Sequence, residues 1–281
     1  MGNIAIVTDS TADLADEQYK KYNITVVPLS VIFGEDVYTD DGIALAREEF
    51  YQKLKDAKKL PTTAQPTPED FKKAYEKLLG DHQSIVSIHI SRKMSGTMDS
   101  AETAKKVLSG SDIEVIDSEM TTMALGLLIL KAAEMAAEGK SKEEILNTVQ
   151  DIKSKTTTLF IPRSLEYLQK GGRIGRAKGL IASLLEIKPL LTLSEGEVSQ
   201  FKNTRRWSQA KTEMLETIQG KVKDGSKLMI AVADADLKEE GDAFAERVKE
   251  TFNPKFIMRT NIGCVVGTHL GPAIAVAFYE E

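Results

Sequence analysis

Apolar positions along the chain follow two rhythms. Short runs rich in β-branched residues, Ile4 to Val7, Ile24 to Val27, Ile85 to Ile90 and Ile113 to Ile116, alternate with stretches in which apolar residues recur at helical spacing. Strands interleaved with helices predict a parallel α/β sheet. Thr67-Pro68-Glu69-Asp70 reads as an N-cap followed by proline at the first helical position, with Phe71, Ala74, Tyr75 and Leu78 on one face. Ser141-Lys142-Glu143-Glu144 is a capping box opening another helix. Met120 to Ala137 is apolar nearly all round, which predicts a buried helix rather than an amphipathic one at the surface.

The rhythm changes after Lys155. Ile187 to Leu193, the turn Ser194-Glu195-Gly196-Glu197 and Val198 to Phe201 predict an antiparallel hairpin. Leu228 to Ala233, a helix over Glu239 to Thr251, Phe256 to Ile262 and Ala273 to Phe278 complete a mixed unit that ends in a strand. The expectation is an α/β protein of two domains: a parallel-sheet N-terminal domain over 1–155 and a smaller mixed-sheet domain over 156–281.

Composition narrows the function classes. With 37 Lys plus Arg against 42 Asp plus Glu, the net charge is −5, and no basic stripe is interleaved with aromatics. Nucleic acid is not an expected partner. The single Cys264 has no second cysteine for a disulfide or a zinc pair. No apolar run approaches the ~18 residues of a membrane-spanning helix, and the N-terminus lacks the pattern of a secretory signal, so a cytoplasmic location is expected. Gly-x-Ser-x-Gly, His-Glu-x-x-His, Cys-x-x-Cys and kinase signatures are all missing. Neither a metal nor a cofactor is implied.

Candidate chemistry lies where strands give way to helices, since backbone N–H groups there can meet an anion. Thr8 to Leu14 follows the first strand and includes Ser10, and Asp117 to Thr122 follows another. Both also suit simple capping. Ser91 to Thr97 offers Ser95 and Thr97 hydroxyls around Gly96, which permits close approach. Leu60 to Pro68 reads as a Pro/Thr loop between helices, stiffened by Pro61, Pro66 and Pro68. Gly263 to Pro272 places Thr268 and His269 among glycines just before the last strand. Gly171 to Gly179 carries Arg173, Arg176 and Lys178, which suits a phosphate, an acidic partner surface or a solvated hinge. It matches neither the dinucleotide spacing nor the P-loop.

Taken together, Ile6 to Leu14, Thr63-Ala64-Gln65-Pro66, Met94-Ser95-Gly96-Thr97, Asp117-Ser118, Leu168 to Ile174 and Gly267-Thr268-His269-Leu270-Gly271-Pro272 resemble the DegV family of bacterial fatty-acid-binding proteins. The resemblance runs from residue 4 to residue 272. It implies two α/β domains with a long-chain fatty acid between them, acting as the acyl-binding subunit of a two-component fatty acid kinase. In that system a separate ATP-binding kinase subunit phosphorylates the carboxylate, and the acyl phosphate passes to phospholipid synthesis. The resemblance maps the carboxylate ligands onto Thr63, Ser95 and His269, with Ser10, Gly96, Thr97 and Thr268 as further cleft positions. Arg173, Arg176 and Lys178 fall in the region assigned to the kinase or the incoming phosphate. One departure is Ala64, where the family usually has Ser. The competing reading is a free-standing phosphoryl- or acyl-transfer enzyme with Ser95 as nucleophile and His269 as base. A protein-interaction module centred on Arg173 to Lys178 is a third.

Overall fold

The computed structural model describes residues 4–183 and 187–281. Its strands are β1 (Ile4–Asp9), β2 (Thr25–Val27), β3 (Ser30–Phe33), β4 (Asp36–Thr39), β5 (Thr62–Ala64), β6 (Ser84–His89), β7 (Ile113–Asp117), β8 (Thr157–Pro162), β9 (Lys188–Ser194), β10 (Glu197–Thr204), β11 (Leu228–Ala235), β12 (Phe256–Asn261) and β13 (Ala273–Glu280). The α-helices are α1 (Asp16–Lys21), α2 (Arg47–Asp56), α3 (Pro68–Leu79), α4 (Thr97–Val107), α5 (Thr122–Ala137), α6 (Lys142–Lys155), α7 (Glu166–Lys170), α8 (Trp207–Lys221), α9 (Lys238–Phe252) and α10 (Cys264–Leu270).

The parallel α/β expectation holds for the N-terminal half, where a four-stranded parallel sheet runs in the order β2-β1-β6-β7. The C-terminal half forms a mixed six-stranded sheet, β10-β9-β8-β13-β11-β12, in which only β11 and β12 pair in parallel. Although that half is the shorter, its sheet has the most strands in the protein. The predicted hairpin turns at Glu195 and Gly196, both at positive φ (51° and 80°), as a two-residue turn matching strand twist requires. A third sheet, β4-β3-β5, is antiparallel and was not apparent in the hydrophobic pattern. The expected Pro/Thr loop is therefore in part a strand: β5 pairs with β3 in the register Val31 to Thr63.

The two halves share one core. Residues from β1, β3, β6, α2, α5, α6, β8, β11, β13 and α10 form a continuous apolar cluster. At its centre α5 touches both β1 of the parallel sheet and β11 and β13 of the mixed sheet. That explains its apolar circumference from Thr122 to Ile129, because a sheet meets it on two sides and α6 packs along it. Its Gly126 is required by close approach, since a Cβ there would lie 2.6 Å from the Ala12 carbonyl oxygen. The outer face of the mixed sheet is covered by α8 and α9 around Met214, Ile218, Phe244 and Val248. The outer face of the parallel sheet packs on α3 and α4 through Phe71, Tyr75, Ala101 and Ala104.

Polar ties join the halves around Asp13, which is 1% exposed and lies in the left-handed region at φ 51°. Its carbonyl accepts from the Thr260 hydroxyl at 2.6 Å, and its Oδ1 accepts from the Gly263 N–H at 2.9 Å. Tyr51 donates across the same seam to the Ile262 carbonyl at 2.9 Å. Burial pushes the Asp13 carboxyl up to about 8, against the opposing pull of Arg47 and the Gly263 N–H, and Asp40 and Asp9 add to the rise. The unfolded chain releases this proton near pH ~3.9. The folded protein therefore holds a proton that the unfolded chain lacks, and stability falls as pH rises towards 8. Asparagine keeps the Gly263 contact and tolerates a left-handed φ. Asp13→Asn is expected to flatten the fall in urea midpoint between pH 6.5 and 8.5; an unchanged pH slope would show that Asp13 is already ionised.

Candidate functional site

Four segments from the two halves converge between the sheets. β5 contributes Thr63, the turn before α4 contributes Ser95, the end of α10 contributes His269, and the segment after α7 contributes Arg173. All four line one cavity of about 110 Å³ whose remaining wall is largely apolar, including Leu29, Ile90, Met123, Phe160, Val198 and Leu270. No Asp or Glu lines it among the described residues. A wider basin of about 740 Å³ adjoins it and shares Thr63, Arg173 and His269. These three side chains thus stand where an apolar chamber meets a polar vestibule. Lys55, Lys58, Lys59 and Lys170 line the vestibule opposite a single acid, Glu166. Lys55 pairs with Asp236 and Lys170 with Glu166, whereas Lys58 and Lys59 have no ion-pair partner among the described residues.

The hydrogen bonds define what the cluster can do. Thr63 Oγ1 lies 2.8 Å from His269 Nε2, joining residues 206 positions apart. His269 Nδ1 is buried with no hydrogen-bond partner. Gly171 lies against that ring: a Cβ at 171 would sit 2.3 Å from Nδ1 and 2.8 Å from the Tyr167 carbonyl oxygen. Burial, and secondarily the charge of Arg173, pull the imidazole down to about 4, so it is neutral at physiological pH. When Nε2 carries the proton and donates to Thr63, the threonine hydroxyl hydrogen is free for a ligand. Arg173 donates to the carbonyls of Met94 at 3.1 Å and Gly171 at 2.7 Å, and it has no carboxylate partner among the described residues. A neutral ring, two hydroxyls and a guanidinium without a carboxylate partner are the groups that an anion receptor needs.

The other expected residues take distinct places. Ser95 Oγ is 2.8 Å from Thr97 Oγ1, so Thr97 orients the serine. Gly96 lets Gln65 cross it: Gln65 Nε2 donates to the Gly96 carbonyl at 3.1 Å, and a Cβ on Gly96 would lie 2.3 Å from Gln65 Oε1. Gln65 thereby couples the strand carrying Thr63 to the turn carrying Ser95, a role not read from the sequence. Ser10 lies outside the cavity and accepts the Leu29 N–H at 3.1 Å, positioning a lining residue. Thr268 borders the vestibule, with its hydroxyl bonded to the Cys264 carbonyl. Arg176 is exposed and pairs with Glu195 and Glu197, and Lys178 is exposed; neither lines the cavity or the vestibule. The Ala64 departure removes nothing from the cavity. Strand alternation turns 64 away from 63, and Ala64 is exposed while Thr63 is half-buried.

The transferase reading needs a hydroxyl held by a base. Here His269 is bonded to Thr63 and Ser95 to Thr97, and no Ser95–His269 hydrogen bond exists among the described residues. No metal-binding cluster of His, Cys, Asp and Glu is present among the described residues. No helix among them is long and apolar enough to cross a membrane.

Comparison with known proteins gives a consistent answer. The family model "Uncharacterised protein, DegV family" matches residues 3–281. A DegV domain-containing protein of Caldanaerobacter subterraneus subsp. tengcongensis is 35% identical over 281 residues, covering 100% of both chains. A DegV family protein from Thermus thermophilus, described for fatty acid binding, superposes at a TM-score of 0.94 with 30% identity over 100% of both chains. Bacillus subtilis DegV, described as a fatty acid binding protein, gives 0.91 with 32% identity, again over 100% of both.

The depressed His269 pKa has a directly observable consequence. Its folded pKa lies below the ordinary ~6.5, so its contribution to stability is lost as pH falls from 6.5 towards 4. An NMR titration of the imidazole Cε1–H is expected to show a neutral ring down to about pH 4. Gly171→Ala, which forces the ring from Nδ1 contact, is expected to raise that midpoint; a midpoint near 6.5 in the parent protein would contradict the described burial.

Proposed function

The chain belongs to the DegV family, and from that premise we propose that it binds a long-chain fatty acid and presents its carboxylate to a separate ATP-dependent kinase subunit. The carrying observation is the junction of an apolar chamber with a lysine-lined vestibule at Thr63, Arg173 and His269. In this reading the acyl tail fills the chamber and the carboxylate meets Thr63, Ser95 and His269. Tail burial at ~0.8 kcal/mol per CH₂ gives a gross gain on the order of 10 kcal/mol for a sixteen-carbon chain, before the costs of association. The head group loses hydration on entry, and the two hydroxyls replace it, with the His269 Nε2–H bonded to Thr63 so that the threonine hydrogen is turned to the ligand. Arg173 supplies the positive field, held off the carboxylate by its two backbone carbonyls.

The vestibule accounts for the second half of the proposal. A carboxylate at this junction has one side in the chamber and the other towards open space edged by Lys58 and Lys59. Phosphoryl transfer to it produces an acyl phosphate, whose added negative charge those lysines and Arg173 would stabilise. With no nucleotide motif in the chain, the ATP is supplied by the partner. Arg176 is already neutralised by Glu195 and Glu197, so the vestibule lysines are the stronger candidates for partner contact.

Thr63→Val and Ser95→Ala are each expected to weaken stearate binding about tenfold or more, from the ~1.5 to 3 kcal/mol of a hydrogen bond to a charged group. Binding of the matching fatty alcohol, titrated in parallel, should respond less. Equal losses for acid and alcohol would reject the carboxylate assignment. Lys58→Glu combined with Lys59→Glu is expected to slow acyl phosphate formation by the partner kinase several-fold more than it weakens fatty acid binding. An unaltered rate at subsaturating carrier would remove the vestibule from the kinase contact.

A further inference from the structure

Ser95 is held by Thr97, and the order of hydrogens between the two sets what Ser95 can offer a ligand. Ser95 lines the chamber and is half-buried, whereas Thr97, the first residue of α4, is fully buried. Their hydroxyl oxygens are 2.8 Å apart, a geometry in which either could donate. Burial breaks the tie. Ser95 Oγ is the one hydrogen-bond partner of the Thr97 hydroxyl among the described residues. Were Ser95 to donate, the Thr97 hydrogen would be sealed in the interior without an acceptor, at the full cost of an unmade buried bond. With Thr97 donating, no hydrogen is stranded. The backbone N–H of Thr97 also donates to Ser95 Oγ, at 3.3 Å. Ser95 Oγ thus accepts twice from residue 97, and its own hydrogen is left for the chamber.

We propose, resting on the fatty-acid reading, that Thr97 is a positioning residue that sets head-group specificity: it commits Ser95 to donate, so that the site takes an ionised carboxylate and turns away the amide of the same chain. Thr63 is the second hydroxyl, and it too presents its hydrogen when His269 Nε2 is protonated. Two such hydrogens match the two oxygens of a carboxylate, both of which only accept. A primary amide has the same shape but one oxygen, its other arm being an NH₂. Seated in the same way, it sets N–H against O–H at one of the two positions and leaves a desolvated donor unpaired. Shape does not separate these head groups, but hydrogen direction does.

The test compares stearate with stearamide on the intact protein, in wild type, Thr97→Val and Thr97→Ser. Valine keeps the branched shape at the buried position and removes the hydroxyl, whereas serine keeps the hydroxyl. In the wild type, stearate is expected to bind about tenfold tighter than stearamide or more. In Thr97→Val, Ser95 is free to turn its hydrogen away and accept from an N–H. Stearate is then expected to weaken several-fold while stearamide holds or tightens. Thr97→Ser is expected to keep most of the wild-type preference. A general loosening of the fold weakens both ligands alike, so the opposed changes report the hydroxyl itself. The proposal is overturned if Thr97→Val keeps the wild-type ratio, weakens both ligands equally, or is matched in its loss of preference by Thr97→Ser. Equal binding of stearate and stearamide to the wild type would reject this inference alone; failure of the wild type to bind either would reject the fatty-acid reading beneath it.

Discussion

From Thr122 to Ile129 helix α5 has no face for water, and the organisation of the molecule depends on that. A helix so apolar is stable only when covered all round. The chain achieves this by placing the parallel sheet on one side and the mixed sheet on the other. Two sheets held apart by a helix leave space beyond its end, and the chamber opens there, bordered by Thr121, Thr122 and Met123 at the N-terminal turn. The core and the site are thus one construction. The chamber wall is the part of the shared apolar cluster that α5 does not fill.

In the proposed function, the head-group end meets a different demand. A carboxylate entering a low-dielectric space needs hydrogen-bond donors, but a tightly salt-bridged carboxylate makes a poorer nucleophile. The observed arrangement lies between these limits. His269 is kept neutral by burial, and Arg173 stands nearby with its guanidinium engaged by backbone carbonyls. The donors come from β5, the turn before α4 and α10, so the site exists only when both halves are assembled. Thr63 and His269 close it with one contact, and Gln65 carries the same register to Ser95 through Gly96 and Ser100.

Much of this frame was legible in the residues. The all-round apolar stretch at Met120 to Ala137, the Ser141 capping box and the Glu195–Gly196 turn each express a local rule, and each appears as expected. The third sheet was not legible because β5 has three residues, Thr62 to Ala64, with no apolar periodicity; only pairing with β3 makes it a strand. β8 also went unread, since its threonine-rich start gives way to Leu159 only halfway along. The candidate head-group residues came from resemblance to a family, not from spacing. Their meeting could not come from local pattern at all, as 206 positions separate Thr63 from His269. Charge was the least transparent signal. Arg176 stood out in a basic glycine-rich run but is spent on Glu195 and Glu197, whereas Lys58 and Lys59, which no motif marks, border the vestibule.

In the proposed function, the space between the sheets holds an acyl chain with its carboxylate at the Thr63–His269 junction. Native mass spectrometry of the purified protein, followed by denaturation, organic extraction and identification of the released lipid, tests it most directly. A stoichiometric added mass that is lost on denaturation and recovered as a long-chain fatty acid is expected. A protein that carries no lipid and fails to acquire added fatty acid under the same native conditions would contradict it.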